Sequence, residues 1–281
     1  MTHSTDQFLA AGGVTIFTQT WLPAEDPSAV VILSHGFGEH SGRYGHVAAA
    51  LVEAGYAVAA LDHRGHGRSG GPRAYVKSIS DLSNDFAMFR DIVAQTVKPG
   101  EDPLPQILLG HSMGSAVIVD HLVGPHDPVA AVVLSGPYLR NAAEVAAPLK
   151  VLAPILGRVA GKLPTQALDS GDVSRDPAVV AAYDADPLVF HGKIPAGTGA
   201  TLLGLEDALM PKASRITEPL LIVHGTEDRL AAVDGARALA GAVGSQIVDL
   251  KTYDGLHHEV FNEPEQDTVL ADVVAWLAEQ V

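Results

Sequence analysis

Gly110-His111-Ser112-Met113-Gly114 stands between an apolar stretch, Gln106-Ile107-Leu108-Leu109, and the run Ser115 to Leu122. The first reads as a buried strand and the second as a helix. In that context Gly-x-Ser-x-Gly is the pattern of a nucleophile elbow. A serine forced into the turn projects its hydroxyl above the sheet. A Cβ at either flanking position would collide with the neighbouring strand or helix, so glycine is required there. The five residues alone decide little; the strand before and the helix after give them weight.

Outward from this turn, short apolar runs alternate with helical patterns, which predicts a mostly parallel sheet with helices on both faces. Val14 to Trp21 follows Gly12-Gly13 and reads as the second arm of a hairpin. Val30 to Leu33, Ala57 to Leu61, Val129 to Leu134, Leu220 to Val223 and Gln246 to Tyr253 read as strands. Helices are expected over Tyr44 to Ala54, Leu82 to Val97 (stopped by Pro99-Gly100), Val233 to Val243 and Glu265 to Glu279. The rhythm breaks between Leu139 and Arg215. That segment holds many prolines and only short helical pieces, near Ala142 to Leu156, Pro177 to Tyr183 and Thr201 to Met210. The expected organisation is therefore a core, residues 1–138 and 216–281, interrupted by a helical cap, residues 139–215.

The 281 residues are 47% hydrophobic, enough for one large domain with an insertion. A net charge of −15 would repel phosphate backbones, which argues against nucleic acid as a partner. Cysteine is absent, so thiolate metal sites and a cysteine nucleophile are excluded. Met1 to Gln7 lacks the basic and apolar regions of a secretory signal. The most apolar stretch, Val145 to Leu163, is broken by Lys150, Arg158, Lys162 and two prolines, too often for a membrane span. A cytoplasmic location is expected.

A serine hydroxyl is a poor nucleophile near neutral pH. It needs a histidine to take its proton and a carboxylate to orient that histidine. On this kind of sheet the chain order is Ser, then Asp or Glu, then His. The strand at 220–223 leads into His224-Gly225-Thr226-Glu227-Asp228, and the strand at 246–253 into Asp254-Gly255-Leu256-His257-His258. Both loops leave the edge where sites form on parallel sheets. Ser112, Asp228 and His258 fit; Glu227, Asp254 and His257 are rivals in the same loops. The oxyanion of an attacked carbonyl needs two backbone N–H donors. Met113, directly after the serine, is one candidate. Phe37, in the glycine-flanked loop His35-Gly36-Phe37-Gly38, is the other. His35, His40, His46, His63 and His66 lack any metal-ligand spacing, so neither a metal nor another cofactor is expected.

Four stretches together resemble the monoacylglycerol lipases, the bacterial members above all, within the α/β-hydrolase superfamily and its serine aminopeptidase S33-like group. They are His35-Gly36-Phe37-Gly38-Glu39-His40-Ser41-Gly42-Arg43-Tyr44, Asp62 to Gly71, Gly110 to Gly114, and Gly255 to Glu263. The similarity runs from about Gly13 to Leu277. It implies an α/β-hydrolase fold with a cap and cleavage of monoacylglycerol to fatty acid and glycerol through an acyl-enzyme. It also selects His258, the histidine directly before the glutamate, over His257. Two positions depart from the family: Ser115 stands where a glycine is usual, and His257 where a tyrosine is common. The resemblance suggests that Glu39 and Arg43 hold a polar head group; a surface ion pair is the plain alternative. Val151, Leu152, Ile155, Leu156, Val159 and Leu163 give the insertion apolar residues that could line an acyl path or rest on a lipid interface. Leu152 and Ile155 are the chosen acyl contacts. A lysophospholipase or short-chain carboxylesterase is the nearest alternative activity, and a ligand receptor on the same fold the non-enzymatic one.

Overall fold

The protein is described here by a computed structural model covering residues 1–98, 103–143, 145 and 147–281. Strands β1 (Thr2–Ala10) and β2 (Val14–Leu22) form the expected hairpin. Its turn uses Gly12 and Gly13, both with positive φ, 79° and 72°. Then come β3 (Val30–Ser34), α1 (Gly45–Glu53), β4 (Ala57–Leu61), α2 (Ile79–Thr96), β5 (Gln106–His111), α3 (Met113–Leu122) and β6 (Ala131–Ser135). Helices α4 (Ala147–Val159), α5 (Pro177–Ala185), α6 (Ala196–Leu203) and α7 (Leu205–Leu209) follow. The chain ends with β7 (Leu220–Gly225), α8 (Val233–Ala242), β8 (Val248–Tyr253) and α9 (Gln266–Leu277). One eight-stranded sheet runs β1-β2-β4-β3-β5-β6-β7-β8. Its pairs are parallel from β4 through β8 and antiparallel at the β1–β2 and β2–β4 edge.

Both faces of the sheet are covered, which explains its continuous apolar strands. Val30, Ile32 and Leu108 point to the side of α2, α3 and α8, where they pack with Phe86, Val117 and Leu239. Val31, Leu33 and Leu109 point to the side of α1 and α9, with Leu51, Val273 and Trp276. Because β3 to β8 run the same way, their C-terminal ends share one edge. The loops carrying Phe37, Ser112, Asp228 and His258 all leave from that edge.

Some boundaries differ from expectation, each for a local reason. Helix α2 starts at Ile79 because the Ser78 hydroxyl accepts the Ser80 N–H at 3.2 Å, an N-cap. The piece expected over Thr201 to Met210 is two helices parted at Gly204, whose N–H turns back to Ala200 O and Thr201 O. The proposed stop at Pro99-Gly100, and Glu144 and Ala146 in the piece expected from Ala142, lie outside the described residues. Between β6 and β7 the described residues contain helices, turns and isolated bridges but no strand. The Thr198 hydroxyl fastens this segment to the core. It donates to Ala74 O and accepts from Val76 N–H, both at 2.8 Å. No helix among the described residues is long and apolar enough to cross a membrane.

Candidate active site

Ser112 sits between β5 and α3 with φ 52° and ψ −119°, one of two non-glycine residues with positive φ among the described residues. Such a conformation costs on the order of 1–3 kcal/mol and persists only where its surroundings enforce it. Here a Cβ on Gly114 would overlap Ser34 O, and one on Gly110 would lie 2.7 Å from the Ser115 Cα. The turn therefore closes only with glycine at both places. Ser115 is accommodated because its hydroxyl donates to Gly110 O at 2.9 Å.

Asp228 and His258 meet from separate strands. His258 Nδ1 donates to Asp228 Oδ2 at 2.7 Å, and their side chains are 5% and 1% exposed. Asp228 Oδ1 accepts the N–H groups of Leu230 and Ala231 at 2.8 and 2.9 Å, which fixes the carboxylate. Burial would lower the basicity of His258. The Asp228 charge and hydrogen bond outweigh it, with Glu259 and Glu39 behind, and raise the imidazole above its ordinary value. Asp228 in turn is held below the usual carboxylate range: burial works against ionisation, and the His258 charge and hydrogen bond overcome it. Ser112 Oγ and His258 line the same cavity, and among the described residues no hydrogen bond joins them. The rivals stand apart. Glu227 and Asp254 are exposed, and His257, half-buried, does not line the cavity.

The loop after β3 folds back against the serine. A Cβ on Gly36 would lie 3.2 Å from the Ser112 Cβ. Its N–H is taken by Glu39 Oε1 at 2.6 Å, whereas the Phe37 and Met113 N–H groups donate to no group among the described residues. Both free donors border the cavity. Phe190, from the segment between β6 and β7, pins the loop with an N–H bond to Gly38 O at 2.7 Å. His35, His63 and His66 pack beneath this loop, with ring centroids 4.6 and 5.5 Å from His35 to the other two. Burial, the largest influence on each, pushes His35 down to about 4, His66 to about 3, and His63 well below its ordinary value. These three rings are neutral supports. His40 instead contacts Asp186 at 2.9 Å and His46 the Phe261 carbonyl at 2.7 Å. No group of three or more His, Asp or Glu among the described residues is arranged to hold a metal ion.

Glu39 and Arg43 form an ion pair at 2.7 Å whose side chains are 3% and 10% exposed, so it is buried rather than a surface pair. The cavity beside Ser112 measures about 270 Å³. Its large apolar walls from the segment between β6 and β7 are Leu168, Val173, Tyr183, Ile194 and Leu202, beside polar residues such as Gln166, Asp169 and Asp172; the sequence reading passed over them because they follow no amphipathic period. Leu152 and Ile155 are not among the lining residues. They are 50% and 55% exposed on the outer side of α4, with Leu156, Val159 and Leu163 exposed beside them. The Val151 side chain lies outside the described residues.

The sheet order and the strand–turn–helix at Ser112 place the chain among the α/β hydrolases. The family described as serine aminopeptidase, S33, matches residues 25–265, and the chain belongs to it. It is similar to the monoacylglycerol lipase of Mycolicibacterium smegmatis, 47% identical over 98% of this chain and 97% of that one. The monoglyceride lipase of Homo sapiens is 34% identical over 96% of this chain and 89% of its own length. Among solved structures, the monoacylglycerol lipase of Paleococcus ferrophilus superimposes with a TM-score of 0.83. It shares 29% identity and covers 95% of this chain and 99% of that one.

Proposed function

We propose that the chain is a serine carboxylester hydrolase that cleaves monoacylglycerol to fatty acid and glycerol. One observation supports this most: an elbow serine, a histidine bonded to a buried carboxylate and two backbone N–H groups unpaired among the described residues border one cavity. Ser112 attacks the ester carbonyl while His258 takes its proton, and Asp228 holds the ring and balances its charge. The N–H groups of Phe37 and Met113 receive the oxyanion. His258 then returns the proton to the departing glycerol oxygen. Water, activated by the same imidazole, releases the fatty acid from the acyl-enzyme. The names of the relatives support the substrate. The decisive measurement is hydrolysis by the purified protein across monoacyl-, diacyl- and triacylglycerols and lysophospholipids. A monoacylglycerol preference is expected, and a lysophospholipid preference would sink this assignment.

Residues 139–215 act as a cap in this reading, bracketed by core residues 1–138 and 216–281. The cap sets substrate choice and the core the chemistry. The acyl chain lies against Ile194 and Leu202, the apolar walls of the cavity. Each buried CH₂ contributes about 0.8 kcal/mol. Leu202→Ala and Ile194→Ala are therefore expected to lower kcat/KM for long-chain monoacylglycerol about tenfold, and far less for a short soluble ester. Equal losses on both substrates in well-folded variants would place the acyl path elsewhere. The exposed apolar residues of α4, Leu152 and Ile155 among them, give the cap a face that rests on a lipid surface. That assigns these two residues to the interface rather than to the acyl path, in a cytoplasmic protein that works at the membrane surface.

A further inference from the structure

Three charged side chains from distant parts of the chain meet beside His258. Arg43 donates from Nη1 to Glu39 Oε2 at 2.7 Å and to Glu259 Oε1 at 2.6 Å, and from Nη2 to Glu259 Oε2 at 2.7 Å. Glu39 Oε1 accepts the Gly36 N–H and the Tyr44 hydroxyl, each at 2.6 Å. Asn262 Nδ2 donates to Glu259 Oε2 at 2.8 Å. The Arg43 guanidinium lies 4.8 Å from the ring centre of Tyr183 on α5. One cluster thus ties the oxyanion loop, the histidine loop and the insertion together.

The charges do not cancel. Two adjacent buried carboxylates stay ionised only with a cation between them. Arg43 supplies one positive charge against two negative ones, leaving a net charge of about −1. As a stability device this is poor, because apolar side chains of similar volume hold buried segments at least as well as desolvated ions. The surplus negative charge calls for another reason, and its location supplies one. Glu39 and Glu259 both line the cavity that holds Ser112 and His258, and His258 is the group that becomes cationic during attack.

We propose that Glu39 and Glu259, bridged by Arg43, form a second anionic support for His258, alongside Asp228, and stabilise the imidazolium as Ser112 attacks. Glu259, Glu39 and Arg43 are positioning residues acting through His258, and their polar atoms are engaged with one another rather than with a head group. The inference rests on the triad assigned above. The other groups facing the imidazole are Asp228, with His224 Nε2 3.7 Å from its Oδ2, and His111, whose ring centre is 4.8 Å from that of His258. Burial, their largest influence, pushes His111 down to about 4 and His224 below its ordinary value. Both are neutral at the working pH, so neither offsets Asp228, Glu259 and Glu39. Arg43 offsets part of the charge of the last two, and Asp169, Asp172 and Arg229 also line the cavity, Arg229 3.7 Å from Asp172. Fixed opposite charge in a site poor in water lowers the energy of a developing ion without reorganisation.

The test is the pH dependence of two rates: fluorophosphonate labelling at Ser112, and kcat/KM for a short soluble ester. Wild type, Glu259→Gln and Glu39→Gln are compared. Glutamine keeps the shape and removes the charge. Glu259→Gln is expected to lower the midpoint of the acid limb by about half to one pH unit, with kcat down about threefold to tenfold and KM unchanged. Glu39→Gln is expected to shift the same way by less. Labelling reports only folded protein, so partial unfolding cannot imitate the shift. A wild-type midpoint in both variants overturns the proposal, as does a loss confined to KM, which would return these residues to head-group binding. Failure of both variants to fold would make the cluster structural and likewise overturn it. Ser112→Ala and His258→Ala run alongside; substantial activity in either would show that the triad itself is misassigned.

Discussion

Ser112→Ala is expected to lose roughly a million-fold in turnover while folding normally, since removing the nucleophile of a triad of this kind costs about that much. What remains would come from the Phe37 and Met113 donors and from the apolar cavity, which still bind and polarise an ester without attacking it. Stability is expected to hold or rise slightly. Alanine carries the same Cβ into the same positive-φ turn, and the Ser112 hydroxyl has no hydrogen bond to lose among the described residues. Active-site titration with a fluorophosphonate, peptide mapping of the label and a thermal melt check all three statements. Labelling at another serine, or near-normal turnover in a folded variant, would remove Ser112 from the mechanism.

The second large effect separates two adjacent histidines. His258→Ala is expected to cost about as much as loss of the serine, because the two act as a unit. His257→Ala is expected to change turnover by less than about tenfold, since only one imidazole of a triad serves as base. Geometry separates the two. His257 N–H donates to Glu263 Oε1 at 3.0 Å, whereas the next residue, His258, reaches Asp228 Oδ2 at 2.7 Å and lines the cavity with Ser112. The pH profile carries the same information. The base must be neutral to accept the serine proton, so kcat/KM falls as pH drops through the His258 ionisation. That acid limb is expected to lie above the ordinary histidine value, the direction set by Asp228 against burial. A larger loss at His257 than at His258 would transfer the role.

The elbow and the order of its partners are legible in the sequence because the chemistry leaves few options there. Gly110 and Gly114 cannot carry a Cβ, and strand-end loops bring Asp228 and His258 to the serine whatever lies between. The choice between His257 and His258 is not legible from spacing, because it depends on which of two adjacent loop side chains reaches Asp228 in the folded chain. The insertion was harder still. Ile194 and Leu202 reach the cavity from different segments with no shared period, whereas Leu152 and Ile155 sit in an apolar stretch and face outward. The Glu39–Arg43 pair is visible as an i,i+4 spacing, but nothing local announces Glu259 as the third member. Only the fold brings that residue to an arginine 216 positions away.

The pairing of β6 directly with β7 has a consequence for how this molecule tolerates change. Ser135 lies opposite Val223 in the finished sheet, so everything between them is one excursion that leaves and re-enters at neighbouring points. The entropy of closing such an excursion grows only logarithmically with its length, about 0.6 kcal/mol for each doubling. Lengthening, shortening or exchanging the segment thus makes little difference to whether the ends can meet. The demanding requirements are local: the Thr198 bonds to Ala74 and Val76, the Phe190 bond to Gly38, the Glu259 N–H bond to Val173 O and the Arg175–Glu263 pair are among the contacts any replacement must rebuild. A graft that keeps these anchor points leaves the strands beneath untouched, which makes exchange of the excursion alone the direct test of the proposal that this segment sets substrate choice.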